Sequence, residues 1–282
     1  MTAARSTGLA AQRDLEITLR FHHAEKSSEL ARLHATEADV APIVARELGL
    51  TVPELAAERR ALELLAASAA LEVLARPGIA ELVRDLPFRT GDTIVVIGDS
   101  LSDDVLSWAN QLSTLLATAL PERRLRVVNA GRSGDTTAEV IARLDAVVAE
   151  RPAWVLQLLG TNDARRHGLA AHAVFTAEQT AHNFETIRNI LRTETRARVV
   201  RMTPPAIDVD RISTWEPFTA QHISWRPEDV RRIGDELLAA DPTTIDLGRA
   251  LDAADALGPD GLHASLAGHQ AILETLVRRL AV

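Results

Sequence analysis

The chain is expected to fold as an α/β protein, with helices on both faces of a parallel sheet and an all-helical region before it. Three observations lead there. From about residue 91 onward, short apolar runs rich in β-branched residues alternate with amphipathic helical patterns, the signature of parallel strands joined by right-handed crossovers. Residues 1–90 instead place apolar side chains three or four apart in stretches rich in Ala, Leu, Glu and Arg, which is helical spacing. Finally, each apolar run ends in glycines or small polar residues out of keeping with what precedes them.

In the N-terminal region, helices are expected over AEKSSELARLHA (24–35), VAPIVARELGL (40–50) and VPELAAERRALELLAASAALEVLA (52–75). Gly49 and Pro53 punctuate them, Thr51 is placed to cap the third, and Arg76-Pro77-Gly78 ends it. The predicted strands are TIVVI (93–97), LRVVN (125–129), AWVLQLL (153–159), ARVVRM (197–202) and TTID (243–246). Helices are expected between them at 107–120, 136–150, 177–194 and 227–240, with a last one from 266 to the end. Residues 205–227 read as a long loop. The division is thus 1–90, a helical region for packing, oligomerisation or specificity, and 91–282, the α/β domain.

The 282 residues contain no cysteine, which excludes disulfides, thiolate catalysis and cysteine metal sites. A formal charge of -8 gives no general attraction to nucleic acid or to an anionic membrane. VARELGLTVPELAAERR (44–60) resembles a helix-turn-helix in outline, but basic residues do not exceed acidic ones there. Phosphate binding lacks its usual driving force, and a helical hairpin that packs or forms homo-oligomers is the preferred reading. No stretch has the length of a membrane span and the N-terminus lacks an apolar signal core; the expected location is cytoplasmic.

In a parallel sheet the C-terminal ends of all strands share one edge, where open α/β folds bind ligands. Converging there would be Gly98-Asp99-Ser100, Asn129-Ala130-Gly131-Arg132-Ser133-Gly134-Asp135, Gly160-Thr161-Asn162-Asp163, Thr203-Pro204-Pro205 and Asp260-Gly261-Leu262-His263. A serine hydroxyl is a poor nucleophile until a base takes its proton, and an imidazole titrates near neutrality. Ser100 and His263 fit those roles. Asp260, three residues before the histidine, can reach the other ring nitrogen and fix the tautomer. The Ser100 amide, the Gly131 amide and the Asn162 carboxamide are donors for the negative oxygen that acyl attack creates.

Taken in order, these blocks resemble the SGNH, or GDSL, hydrolase superfamily over about residues 92–282. Val96-Ile97-Gly98-Asp99-Ser100-Leu101-Ser102 is similar to its first block, Asn129–Thr137 to its second and Leu159-Gly160-Thr161-Asn162-Asp163 to its third. Asp260-Gly261-Leu262-His263-Ala264-Ser265 with Gly268-His269 is similar to its last. The resemblance implies a flavodoxin-like three-layer αβα sandwich with five parallel strands ordered 2-1-3-4-5. It also implies Ser100, His263 and Asp260 as triad and Ser100, Gly131 and Asn162 as oxyanion hole. The implied activity is esterase, thioesterase, lysophospholipase or carbohydrate deacetylase, on a small-molecule ester and without metal or cofactor. A binding protein or an acyltransferase using the same crevice is the alternative. Two departures stand out: Asp103-Asp104, placed to disfavour anionic substrates beside the serine, and Ala264, where many relatives carry proline.

Other residues read more simply. Ser133 is a rival nucleophile without a G-x-S-x-G frame. His22, His23, His34, His167, His172, His182 and His222 lack an acid-turn context, and His269 packs or caps a helix. Asp252 and Asp255 compete with Asp260 but look like solvated charges. With aromatics at only 3% of the chain, Trp215, Phe218 and Trp225 in one loop either line a substrate pocket or plug that loop onto the core.

Overall fold

A computed structural model describes residues 9–21, 23, 26, 36–251 and 255–281. The helix expected over 24–35 lies, apart from Lys26, outside the described residues, as do His22, His34 and Asp252.

The N-terminal region is helical: α1 (Leu9–Phe21), α2 (Glu37–Glu47), α3 (Val52–Leu74) and α4 (Ile79–Asp85). The cap read from the sequence at Thr51 is formed: its hydroxyl oxygen accepts the Glu54 N–H while the Glu54 carboxylate accepts the Thr51 N–H at 2.8 Å. Pro53 occupies the first turn, where its missing N–H is harmless. Leu19, Val40, Val44, Ala45 and Leu55 form a small core shared by α1, α2 and α3.

The sheet follows, with β1 (Thr93–Gly98), β2 (Arg126–Asn129), β3 (Trp154–Leu158) and β6 (Arg198–Met202) all parallel and in the order β2-β1-β3-β6. Alternate residues of β1 serve opposite faces, as strand geometry requires. Ile94 and Val96 pack with α6 (Trp108–Ala119) and α14 (Leu266–Leu280). Val95 and Ile97 pack with α7 (Thr137–Ala142), α8 (Leu144–Ala149), α9 (Ala177–Glu194) and α12 (Pro227–Ala240). Ala70 and Val73 of α3 and Ile79 and Val83 of α4 belong to the first of these cores. That core therefore crosses the boundary near residue 90, while the small core of α1, α2 and α3 lies wholly before it.

The structure corrects three expectations. The fifth strand, at 243–246, is reduced to a parallel bridge between Ile245 and Met202, carried by Thr203 N–H to Ile245 O at 2.9 Å and Ile245 N–H to Arg201 O at 2.8 Å. Asp241 explains the shortening: it draws Thr243 into a turn and ion-pairs Arg201, and Asp246 already precedes α13 (Leu247–Ala250). The helix expected over 136–150 breaks at Arg143, whose guanidinium turns to Asp135 at 2.7 Å. The expected loop at 205–227 folds into α10 (Val209–Thr214), α11 (Glu216–Ala220) and β7 (Ile223–Ser224). Strand β7 joins β4 (Arg166–His167) and β5 (His172–Ala173) in a small antiparallel sheet. No helix among the described residues is long and apolar enough to cross a membrane.

Candidate active site

The chain runs from β1 to β2 on one side and returns to β3 on the other, so the strand order switches beside β1. Ser100 follows β1 directly and opens the short helix α5 (Ser100–Asp103), capped by Asp99, whose Oδ1 accepts the Leu101 N–H at 3.0 Å. A glycine is needed just before, because a Cβ on Gly98 would lie 2.3 Å from Ser102 Oγ and 2.9 Å from the Leu158 carbonyl.

His263 reaches this serine from the far end of the chain. Its Nε2 lies 2.8 Å from Ser100 Oγ and its Nδ1 lies 2.6 Å from Asp260 Oδ2. The other carboxylate oxygen, Oδ1, accepts the Leu262 and His263 N–H groups, each at 2.9 Å. The Asp260 carboxylate is thus held on both edges. Burial acts to raise its pKa, but the bond to His263, the imidazole's charge and the two amides outweigh it and hold the carboxyl below its ordinary range. Gly261 turns the chain at φ +74°, and a Cβ there would meet the Asp208 carbonyl at 2.4 Å. The Gly261 carbonyl in turn accepts the Asp208 N–H at 2.8 Å, so the 205–227 segment braces the histidine turn.

Asn162 is buried after β3, with one Nδ2 hydrogen directed to the Asp135 carbonyl at 3.1 Å. The Gly131 N–H rests on Asn129 Oδ1 at 3.0 Å, and Asn129 Nδ2 donates to the Ser102 carbonyl at 2.7 Å. The tether of Asn129 to Gly131 depends on a backbone bend that residue spacing does not reveal. Ser133 faces a carboxylate instead of an imidazole, its hydroxyl donating to Asp103 Oδ2 at 2.8 Å.

The three aromatic residues separate. Trp225 is a plug: it is buried in the second core and its indole N–H donates to the Thr161 carbonyl at 2.8 Å, fixing the Asn162 loop. Phe218 lies edge-on to Trp225 at 5.1 Å and 6.5 Å from the His263 ring. Trp215 stands half-buried at the junction of α10 and α11. Asp103 and Asp104 are not charges exposed to a substrate. Both are buried, Asp103 bound to Lys26 and Ser133, and Asp104 to Arg20 and His269. No motif in the leader singled out Arg20 or Phe21, yet the Phe21 ring centroid lies 4.3 Å from that of His263.

A serine, an imidazole and a carboxylate in series at the strand ends of an α/β sandwich occur in more than one class of hydrolase, and the family comparison identifies the class here. The chain is a member of the GDSL-like lipase/acylhydrolase family, whose model matches residues 96–271. It is 36% identical over 110 residues to thioesterase 1/protease 1/lysophospholipase L1 of Escherichia coli K12, a match covering 38% of this chain and 48% of that one. The chain thus spans about half the length of that relative. It is 26% identical over 218 residues to an acetylxylan esterase of Geobacillus stearothermophilus, covering 68% of this chain and 94% of the other. The fold is similar to that of LAE5, an alpha/beta hydrolase from the metagenome of Lake Arreo, with a TM-score of 0.54 at 22% identity over 68% of this chain and 96% of that one.

Proposed function

We propose that the chain is a serine hydrolase that cleaves a small acyl or acetyl ester or thioester through an acyl-enzyme. The observation that carries this reading is the unbroken hydrogen-bonded series Asp260–His263–Ser100, at 2.6 and 2.8 Å. The names of the relatives, a thioesterase and an acetylxylan esterase, support the substrate class.

His263 Nε2 takes the hydroxyl proton as Ser100 Oγ bonds to the carbonyl carbon. Asp260 stabilises the imidazolium. The carbonyl electrons move onto oxygen, which is held by three donors. These are the Ser100 N–H at the start of α5, the second Nδ2 hydrogen of Asn162, and the Gly131 N–H, shared away from Asn129. When the tetrahedral adduct collapses, His263 gives its proton to the leaving oxygen or sulfur. Water then repeats the sequence: His263 takes its proton, its oxygen bonds to the acyl carbon, and Ser100 leaves with the proton returned.

Two measurements test this. A fluorophosphonate should phosphonylate Ser100, with loss of fluoride, and peptide mass analysis should find the adduct there. Folded protein that stays unlabelled, or is labelled only elsewhere, would refute the reading. Asn162→Ala should lower kcat on p-nitrophenyl acetate by about 10²–10³-fold, or roughly 3–4 kcal/mol, with KM little changed, because its donor matters when the oxyanion forms.

A further inference from the structure

We infer that the helical leader completes the active site in cis. In this reading Arg20 is a positioning residue tying the Ser100 segment to the His263 segment, and Phe21 is an apolar wall over the imidazole. The inference rests on the hydrolase reading above and adds a role for α1.

Arg20 ends up touching both carriers of the candidate triad. Its Nε lies 3.1 Å from each oxygen of Asp104, and its Nη2 lies 2.5 Å from Asp104 Oδ2 and 3.2 Å from the Ala264 carbonyl. Asp104 closes α5, donating its N–H to the Ser100 carbonyl at 3.1 Å. Ala264 directly follows His263. One guanidinium therefore spans the end of the nucleophile's helix and the residue after the candidate base. The backbone joins in, with the Val105 N–H donating to the Arg20 carbonyl at 3.2 Å.

The chemistry makes this contact more than incidental. Asp104 is 0% exposed, and a buried carboxylate is tolerated only when its charge is matched. Its other partner, His269, receives the Trp108 N–H at Nδ1 (3.4 Å), so its proton is on Nε2, 3.1 Å from Asp104. That arrangement is a neutral imidazole donating one bond. The positive charge comes from Arg20, so the buried carboxylate is matched when α1 is docked. The docked helix then sets Phe21 against the imidazole, ring planes 32° apart, with the Arg20 guanidinium 5.1 Å from the Phe21 ring. Lys26 adds a second tether, binding Asp103 and reaching the Gly131 carbonyl at 3.3 Å. A group leaving from the acyl carbon must approach His263 Nε2, and so passes beside the leader.

The test uses the full chain carrying Arg20→Gln, Arg20→Lys or Phe21→Ala. Arg59→Gln, which breaks an ion pair to Glu37 inside the leader, is the control. Steady-state rates on p-nitrophenyl acetate and the rate of fluorophosphonate labelling of Ser100 are read where circular dichroism shows each variant folded. Arg20→Gln should lower kcat and the labelling rate together by about 10–100-fold, the scale of a displacement of roughly 1 Å in a reacting group. Arg20→Lys should recover part of the loss, Phe21→Ala should lose several-fold in kcat, and Arg59→Gln should match wild type. Wild-type rates in folded Arg20→Gln would overturn the inference. If that variant fails to fold, wild-type rates in both Arg20→Lys and Phe21→Ala would do so. An inert wild type would instead overturn the hydrolase reading. The NMR signals of the His263 ring would then decide about the leader, and signals unmoved by Arg20→Lys and Phe21→Ala would overturn this inference.

Discussion

Ser100→Ala should reduce p-nitrophenyl acetate turnover by about 10⁴-fold or more, and His263→Ala by a similar factor. The double variant should be no slower than either single one, because the two side chains share one proton transfer. Asp260→Asn should lose about 10³–10⁴-fold without losing the turn, and local geometry says why. Asp260 Oδ1 accepts the Leu262 and His263 amides, each at 2.9 Å. An asparagine would keep its carbonyl oxygen on those two donors and present its NH2 to His263 Nδ1, where a carboxylate oxygen now stands at 2.6 Å. That donor would force the ring proton onto Nε2, facing the serine, and the imidazole could no longer accept. Steady-state kinetics with active-site titration check the series. A Ser100→Ala enzyme at wild-type rate, or an Asp260→Asn enzyme within a few-fold of it, would contradict the mechanism.

How far this site could be read from residues alone depended on the range of its interactions. Three of the four blocks were legible because each is local: an apolar strand, then glycine and polar residues at its end. The Asp260–His263 pair was legible because three residues span one turn. The fifth strand was over-read, since TTID has strand composition while Asp241 and Asp246 bend the chain at both ends of it. The 205–227 segment was under-read. Its Asp208 is a helix cap accepting the Asp210 and Arg211 amides, a signal present in the sequence but overshadowed by the aromatic residues nearby. The pairing of Asp104 with Arg20, 84 positions away, and with His269, 165 positions away, left no local trace. In sequence Asp103 and Asp104 look placed to disfavour anionic substrates beside Ser100, and tertiary packing reverses that conclusion by burying both.

Asp99 supplies the second large effect, on stability. It lies beside Ser100 at 1% exposure, its Oδ1 held by the Leu101 amide and its Oδ2 without a hydrogen-bond partner among the described residues. Burial pushes its pKa up to about 7, against the Leu101 bond and the charge of His263, which pull it down; Asp163 and Asp135 add to the rise. In the unfolded chain the same carboxyl titrates near 3.9. Between about pH 4 and pH 7 the folded protein therefore holds a proton that the unfolded chain has released. Stability from this group must fall as pH rises through that window and level off above it, by about 4 kcal/mol in all. Asp99→Asn keeps an oxygen to cap α5 and cannot ionise. Denaturant unfolding of both proteins at pH 4.5, 6 and 8 should show the variant gaining on wild type by an amount of that order, and parallel profiles would contradict the argument. Comparing the two proteins cancels the other buried acids, Asp135 and Asp163, whose carboxyls burial also raises. The sign suits the proposed chemistry. Below about pH 7 the neutral carboxyl beside the proposed nucleophile does not oppose the negative oxygen that would form there, whereas the ionised one would.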